Sequence, residues 1–130
     1  MELTPKELFE TRIPRGLKDH PDIAQKHPVV LQFDILGEDG GTWTVDTKVQ
    51  PATCAQGPRE DADCRIELTS ASLLELIQTP PSGRASAVMR FILEGTIDMD
   101  GDVAKAMKLS QIFALADARR AQGVPEGEST

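Results

Sequence analysis

The feature that most constrains the fold is the alternation of polar and apolar residues between positions 42 and 49. Trp43, Val45 and Val49 project to one side of an extended chain there, whereas polar side chains occupy positions 42, 44, 46 and 48. The preceding residues 38–41, EDGG, are typical of a hairpin turn. The pattern therefore predicts a half-buried β-strand that pairs with the segment before the turn.

That preceding segment is VVLQFDI at residues 29–35, in which Phe33 and Ile35 share one face of a predicted strand. Two shorter strands are predicted near residues 52–55 and 63–68, joined by a loop that contains Gly57 and Pro58. A fifth strand is predicted at residues 96–100. It follows two helices, and a connection of that length favours parallel pairing with an earlier strand.

The first helix has a strong start signal, because Thr4 is a good N-cap, Pro5 suits the first helical position and Glu7 completes a capping box. It is predicted to end near residue 12, before breaks at Pro14, Gly16 and Pro21. Further helices are predicted at residues 22–26, 70–78, 85–94 and 102–120.

The order of elements is one helix, four strands, two helices, one strand and one helix. Segregation of strands from helices predicts an α+β fold: a five-stranded, mainly antiparallel sheet covered by helices. A chain of 130 residues fits one domain, which we assign to residues 1–120. Residues 121–130 are rich in Gly, Pro and Glu and are predicted to form a disordered tail.

The charge is acidic and unevenly spread. The net charge is −7, and residues 31–102 carry thirteen acidic and five basic side chains. This argues against a nucleic acid partner, because phosphate binding needs a clustered positive field. No apolar run approaches the ~20 residues of a transmembrane helix. The first residues lack a secretory signal pattern and there are two cysteines, so we expect a cytoplasmic location.

Few side chains suggest covalent chemistry. His20 and His27 each precede a proline, which predicts surface positions in loops or turns. The run DMDGD at 98–102 lacks the remaining ligands of a calcium loop and is better explained as a strand, a turn and a helix cap. We therefore expect no catalytic residue, no metal and no cofactor.

Cys54 and Cys64 lie symmetrically about Arg59, across a hairpin predicted for residues 52–68. They face each other as a cross-strand pair if that hairpin forms. The sequence leaves open whether they form a disulfide or stay reduced and packed.

The apolar residues of the helices are more informative. Met89, Met99 and Met107 all fall at predicted inward positions, and methionine adapts to irregular apolar space. They suit a lipid pocket, or they simply fill a core. Ile112 and Leu115 fall outside the main apolar face of the last helix, so they are predicted to be exposed, to contact a partner or to border an apolar opening.

Four motifs in a fixed order resemble one family. They are VLQFDI at 30–35, TWTVD at 42–46, DCRIELT at 63–69, and GDVAKAMKL at 101–109 running on to Ile112 and Phe113. Together they resemble the sterol carrier protein type 2-like family, also called the sterol-binding domain, over about residues 5–116.

The resemblance implies an apolar tunnel between the sheet and the helices, which holds a fatty acid, a fatty acyl-CoA, a sterol or another lipid without modifying it. An alternative function is an accessory or scaffold subunit that presents a lipid or quinone-like substrate to partner enzymes. An enzyme is disfavoured because no nucleophile–base pair is visible. The residues expected near the ligand are Phe33, Ile35, Trp43, Val45, Leu73, Ile77, Met89, Ile92, Met99, Met107, Ile112 and Phe113.

Overall fold

Five strands form one sheet in the computed structural model, which describes residues 4–113. They are β1 (Val30–Leu36), β2 (Gly41–Asp46), β3 (Thr53–Gln56), β4 (Cys64–Thr69) and β5 (Asp98–Gly101). Their order across the sheet is β3-β2-β1-β4-β5. The β1–β4 pair is parallel and the other three pairs are antiparallel. The predicted α+β class with a mainly antiparallel sheet is confirmed.

Helices precede, interrupt and follow the strands. They are α1 (Pro5–Glu7), a π-helical segment (Leu8–Arg12), α2 (Ile13–Asp19), α3 (Pro21–Lys26), α4 (Ser70–Gln78), α5 (Pro81–Glu94) and α6 (Val103–Ala106). Residues 109–113 are again helical. The predicted end of the last helix and the predicted tail at 121–130 lie outside the described residues.

The predictions that the first helix ends near residue 12 and that Pro14 and Gly16 break the chain are wrong, because the chain stays helical from Pro5 to Asp19. The turn before Pro14 is π-helical, and the Ile13 N–H bonds to the Leu8 carbonyl. A proline ring clashes with the carbonyl four residues back in a regular α-helix, and a wider turn relieves that clash. Pro21 does separate two helices, as predicted.

Alternate residues of the strands face a single core. The register aligns one row across all five strands, with Phe33 of β1 at its centre between Trp43 and Ile66. Gln56 and Met99 complete this row at the two edges. The Phe9 ring lies 5.1 Å from both Phe33 and Trp43 by ring centroids. The N-terminal helices therefore pack on the middle of the sheet.

Two predictions about strand pairing are wrong. The parallel partner of β1 is β4, whereas β5 runs antiparallel to β4. The 52–68 hairpin does not form, because β2 and β1 lie between β3 and β4. Cys54 and Cys64 are therefore three strand spacings apart, about 14 Å, which is too far for a disulfide. Both thiols are free.

Arg84 is a buried cation that no motif in the sequence singles out. Its side chain, 2% exposed, lies on the inner face of α5. The guanidinium donates to the carbonyls of Leu76, Ile77 and Thr79, each at 3.0 Å. These carbonyls end α4, where the helix dipole favours a positive charge. Arg84 therefore holds α5 against the end of α4.

We expect Arg84→Met to lower the free energy of unfolding by about 3 kcal/mol, because methionine fills the space but removes the hydrogen bonds to the Ile77 and Thr79 carbonyls, whereas the Leu76 carbonyl keeps the Thr79 N–H. Denaturant unfolding followed by the fluorescence of Trp43, the single tryptophan, measures this. Arg90→Met on the same helix is the matched control, since the Arg90 side chain is 57% exposed. The control should cost less than about 0.5 kcal/mol, and equal losses in the two variants would contradict the role of Arg84.

Asp63, just before β4, connects its own segment with β1, with the segment after β2 and with α6. Its carboxylate accepts from the Val30 N–H at 2.9 Å and contacts the ammonium groups of Lys48 and Lys105 at 3.0 and 3.3 Å. Burial acts to raise the pKa of Asp63, but the Val30 N–H and the two lysines outweigh it and lower the pKa below its usual value. The charged form of Asp63 therefore stabilises the start of β1 and the position of α6.

We expect Asp63→Asn to lower the free energy of unfolding by about 1 kcal/mol near neutral pH, because the amide keeps an acceptor but loses the charge. A carboxyl group whose pKa is lower in the folded than in the unfolded protein stabilises the fold at pH values above its unfolded pKa. This stabilisation is lost as the pH falls through the pKa of the folded state. The difference between wild type and variant should therefore shrink below about pH 4. Urea unfolding across that range tests this, with Asp100→Asn, whose side chain is 80% exposed, as the control. A difference that does not change with pH would contradict it.

Candidate functional site

An open pocket of about 720 Å³ lies where α2 and α3 meet the segment after β2. Its volume falls within the roughly 300–1,000 Å³ of small-molecule sites. We call it the elbow pocket. Its lining residues are Pro14, Leu17, Lys18, Pro21, Ala24, Gln25, Thr47, Val49, Gln50, Pro51 and Ala52. Seven of these eleven are apolar, so the pocket suits an apolar ligand.

The wall of the elbow pocket formed by α2 and α3 depends on the bend between the two helices. His20 leaves the helical conformation, with φ −133° and ψ 62°, and Pro21 begins α3. Thr47 holds the opposite wall in place. Its hydroxyl accepts from the Val29 N–H at 2.8 Å and donates to the His27 carbonyl at 2.6 Å. These bonds keep the end of β2 beside the end of α3.

The floor of the elbow pocket is continuous with the core. Leu17 and Ala24 are 5% and 3% exposed, and both belong to the same cluster of buried residues that contains Phe33. Val45 and Thr47 alternate onto the same face of the chain, so Thr47 extends the covered face of β2 to the pocket. An apolar chain that enters the pocket therefore meets the core directly.

Eleven of the twelve residues predicted to lie near the ligand come together in the core. Eight of them are buried members of the main cluster, and the other three are partly buried against it. The eight are Phe33, Ile35, Trp43, Val45, Leu73, Ile77, Ile112 and Phe113; the three are Ile92, Met99 and Met107. The rings of Phe33 and Phe113 lie 5.6 Å apart, so the sheet and the last helical stretch are in direct contact there. The tunnel between sheet and helices stays a prediction.

Two sequence-based placements need correction. Met89 is 48% exposed rather than inward, because the buried face of α5 runs through Arg84, Val88 and Phe91, one turn apart. Of the alternatives for Ile112, exposure is wrong, because the side chain is only 1% exposed; its position at an apolar opening stays a prediction. The helix is interrupted after Ala106 and resumes at residue 109, which changes the direction in which Ile112 points. Leu115 lies outside the described residues.

None of the twelve predicted residues lines the elbow pocket. Its lining comes from the bend between α2 and α3 and from the 47–52 segment. The sequence predicted only helix breaks in the first of these and the end of a strand in the second. The prediction that Val49 lies on the covered side of the second strand is wrong, because β2 ends at Asp46 and Val49, beyond it, is 45% exposed. The meeting of these two segments depends on tertiary contacts.

The titratable groups around the core are poorly suited to nucleophilic chemistry. Burial, together with the nearby Glu10 carboxylate, raises the pKa of Cys54 to about 12, and its thiol donates to the Phe9 carbonyl at 2.9 Å. Burial also raises the pKa of Cys64. Burial, with Lys108 and Lys26, lowers the pKa of His27. Within residues 4–113, no group of three or more His, Cys, Asp or Glu side chains is placed to hold a metal ion.

A second pocket of about 560 Å³ lies under the loop before β4 and is polar. Its lining includes Arg59, Arg65 and Asp100. The Arg59 guanidinium bonds to Asp46 at 3.1 Å and to Asp61 at 2.6 Å. Because its cations face carboxylates of their own chain, this pocket is less suited than the elbow pocket to an external ligand.

Comparison with known proteins agrees with this architecture. The SCP-2 sterol transfer family matches residues 9–114. Hydroxysteroid dehydrogenase-like protein 2 of Bos taurus is 30% identical over 93 residues, which cover 71% of this chain and 21% of that protein. The chain thus spans about a fifth of the length of this relative. Within residues 4–113, no helix is long and apolar enough to cross a membrane.

Two solved structures share the fold. The palmitated SCP2L2 of Aedes aegypti has a TM-score of 0.60 and 21% identity, and the match covers 85% of this chain and 95% of that one. A structure described as the UbiJ-SCP2 ubiquinone synthesis protein has a TM-score of 0.62 and 15% identity, with 90% and 96% coverage. Identities this low show the fold alone. The match over residues 9–114 covers most of the chain, and the protein therefore belongs to the SCP-2 sterol transfer family.

Proposed function

We propose that the protein binds and transfers an apolar ligand without modifying it, and that the elbow pocket is where the ligand enters. The observation that carries this proposal is the continuity of the pocket floor, formed by Leu17 and Ala24, with the hydrophobic core. In this proposal the apolar chain passes Val49 and extends toward Val45 and Trp43. The other core residues predicted from the sequence then form the inner part of the binding region.

Partition from water supplies the binding energy. Each buried methylene contributes about 0.8 kcal/mol, so a sixteen-carbon chain yields on the order of 12 kcal/mol before costs. Association and ordering of the chain remove several kcal/mol of this. Affinities from micromolar to submicromolar are therefore expected. The palmitated SCP2L2 of Aedes aegypti supports the proposal, because it is a protein of this fold that carries palmitate.

Binding without catalysis is also supported by the state of the thiols. Both cysteine pKa values are raised, so Cys54 and Cys64 stay protonated at neutral pH, and a protonated thiol is a poor nucleophile. Two unpaired cysteines are also compatible with a reducing compartment, and a cytoplasmic location is part of this proposal.

A second candidate function is presentation of a lipid or quinone-like substrate to partner enzymes. The likeness to the UbiJ-SCP2 ubiquinone synthesis protein favours it, as does the relative in which the matching region is about a fifth of a longer chain. A presenting subunit forms a lasting complex with its enzymes, whereas a carrier is released after each delivery. Size-exclusion chromatography of the native protein from its own cells separates the two functions.

We expect Val49→Gln to weaken the binding of hexadecanoate about threefold to tenfold, because it makes the rim of the elbow pocket polar where the chain must pass. Displacement of a fluorescent fatty acid measures the affinity, and native mass spectrometry of the purified protein identifies any lipid that is already bound.

Leu36→Gln is the matched control. Leu36 is 47% exposed against 45% for Val49, so the two substitutions remove similar exposed apolar surface, but Leu36 does not line the elbow pocket. Affinity in this control should stay within twofold of wild type. Equal losses of affinity in the two variants would mean that the ligand does not enter at the elbow pocket. No uptake of fatty acid by the wild type would refute lipid binding.

A further inference from the structure

The outer surface of α5 carries apolar side chains where a surface helix normally carries charge. Leu93 is 82% exposed, more than any other large hydrophobic residue in the described part of the chain, and Met89, one turn before it, is also exposed. The buried face of α5 runs through Arg84, Val88 and Phe91, so Met89 and Leu93 project from the opposite side of the helix. Leu93 in particular is left uncovered by residues 4–113.

These two residues belong to a continuous line of exposed positions along α5. Ser82, Ser86, Met89 and Leu93 follow one another at intervals of three or four residues, so they share one side of the helix. All four are exposed and none is charged. We call them the α5 stripe. Its first half has small side chains and its second half has large apolar ones.

This order of sizes makes the α5 stripe complementary to itself when two helices run antiparallel. If Met89 lies level with Ser86 of a second copy, the two-fold relation also places Leu93 level with Ser82 of that copy. Each large side chain then meets a small one, so the two helices can approach closely and fill the space between them. A parallel arrangement would instead place Leu93 against Leu93 and leave a gap between the serines.

The charges around the α5 stripe also favour a second copy. The protein has a net charge of −7, but the charged residues exposed on α5 are one cation and one anion, Arg90 and Glu94. In the antiparallel arrangement, Glu94 lies level with the first turn of the other α5, where the helix dipole favours a negative charge. Two acidic molecules repel each other over most of their surface, and they repel least where the contact has no net charge.

We propose that the α5 stripe is a self-association surface, through which two copies of this chain pair with their α5 helices antiparallel. The helix has 14 residues and is therefore about 21 Å long, so the contact is smaller than the interface of a permanent dimer. The dimer is consequently weak and depends on protein concentration. None of the four residues lines the elbow pocket, so the inference does not rest on the proposed function.

Sedimentation velocity of the full chain over a range of concentrations measures the association. We expect the wild type to move from monomer toward dimer as the concentration rises. Leu93→Lys should weaken dimerisation about tenfold or more, because each dimer then has two charges in an apolar contact. Added salt should strengthen the wild-type dimer, since it screens the repulsion between two acidic molecules.

Leu36→Lys is the matched control, because it makes the same change in charge at an exposed leucine of β1 that is outside the α5 stripe. Its dimerisation should stay within about twofold of wild type. A wild type that stays monomeric at every concentration would overturn the proposal. Equal losses of dimerisation in the two lysine variants would also overturn it.

Mixing the variants Ser86→Cys and Met89→Cys under mild oxidation tests the antiparallel register. We expect the disulfide between the two different variants to form in greater yield than a disulfide within either variant, because position 86 of one copy faces position 89 of the other. The wild type, with its two native thiols, is the control for other disulfides. Equal yields of all three dimers would overturn the antiparallel pairing.

Thermal unfolding at low protein concentration distinguishes a second copy from a cover within the same chain. Because residues 4–113 leave Leu93 exposed, Leu93→Lys should leave the Tm of the monomer close to that of Leu36→Lys. A much lower Tm in Leu93→Lys would mean that the monomer itself buries Leu93 under residues outside this range. That result would overturn the proposal.

Discussion

The packing of Phe9 and Phe113 onto Phe33 is the contact on which the rest of the structure depends. Phe33 lies on the central strand, at the middle of a row that crosses all five strands. Phe9 brings the N-terminal helices to this point, and Phe113 brings the last helical stretch. Aromatic side chains bury large apolar areas, so this one cluster joins both ends of the described chain to the sheet.

The elbow pocket follows from how that cluster is covered. The N-terminal segment stays helical through Pro14, stacks Phe9 on Trp43 of β2 and bends at His20, before α3. The bend between α2 and α3 leaves space beside the 47–52 segment instead of filling it. A pocket made by a bend has an apolar floor shared with the core and a rim of helix-surface residues such as Lys18.

Buried and partly buried charges connect the elements around this core. Arg84 satisfies the carbonyls at the end of α4, and Asp63 connects the start of β1 with Lys48 and Lys105. These contacts hold α5 and α6 in place without filling the apolar interior. Arg84 and Asp63 therefore stabilise the fold at the ends of helices and strands. Neither residue lines the elbow pocket.

Local sequence alone determined the strands, the hairpin at residues 38–41, the caps at Thr4 and Asp102, and which side chains of β1 and β2 face inward, because side-chain direction alternates with every residue in a strand. Only the tertiary structure decided the parallel β1–β4 pair, the separation of Cys54 from Cys64 and the elbow pocket. These features join segments far apart in the chain, and the neighbours of a residue in sequence carry no information about which distant segment will pack against it. Met89 shows the same limit, since the face that α5 buries was set by the contacts of Arg84 and Phe91.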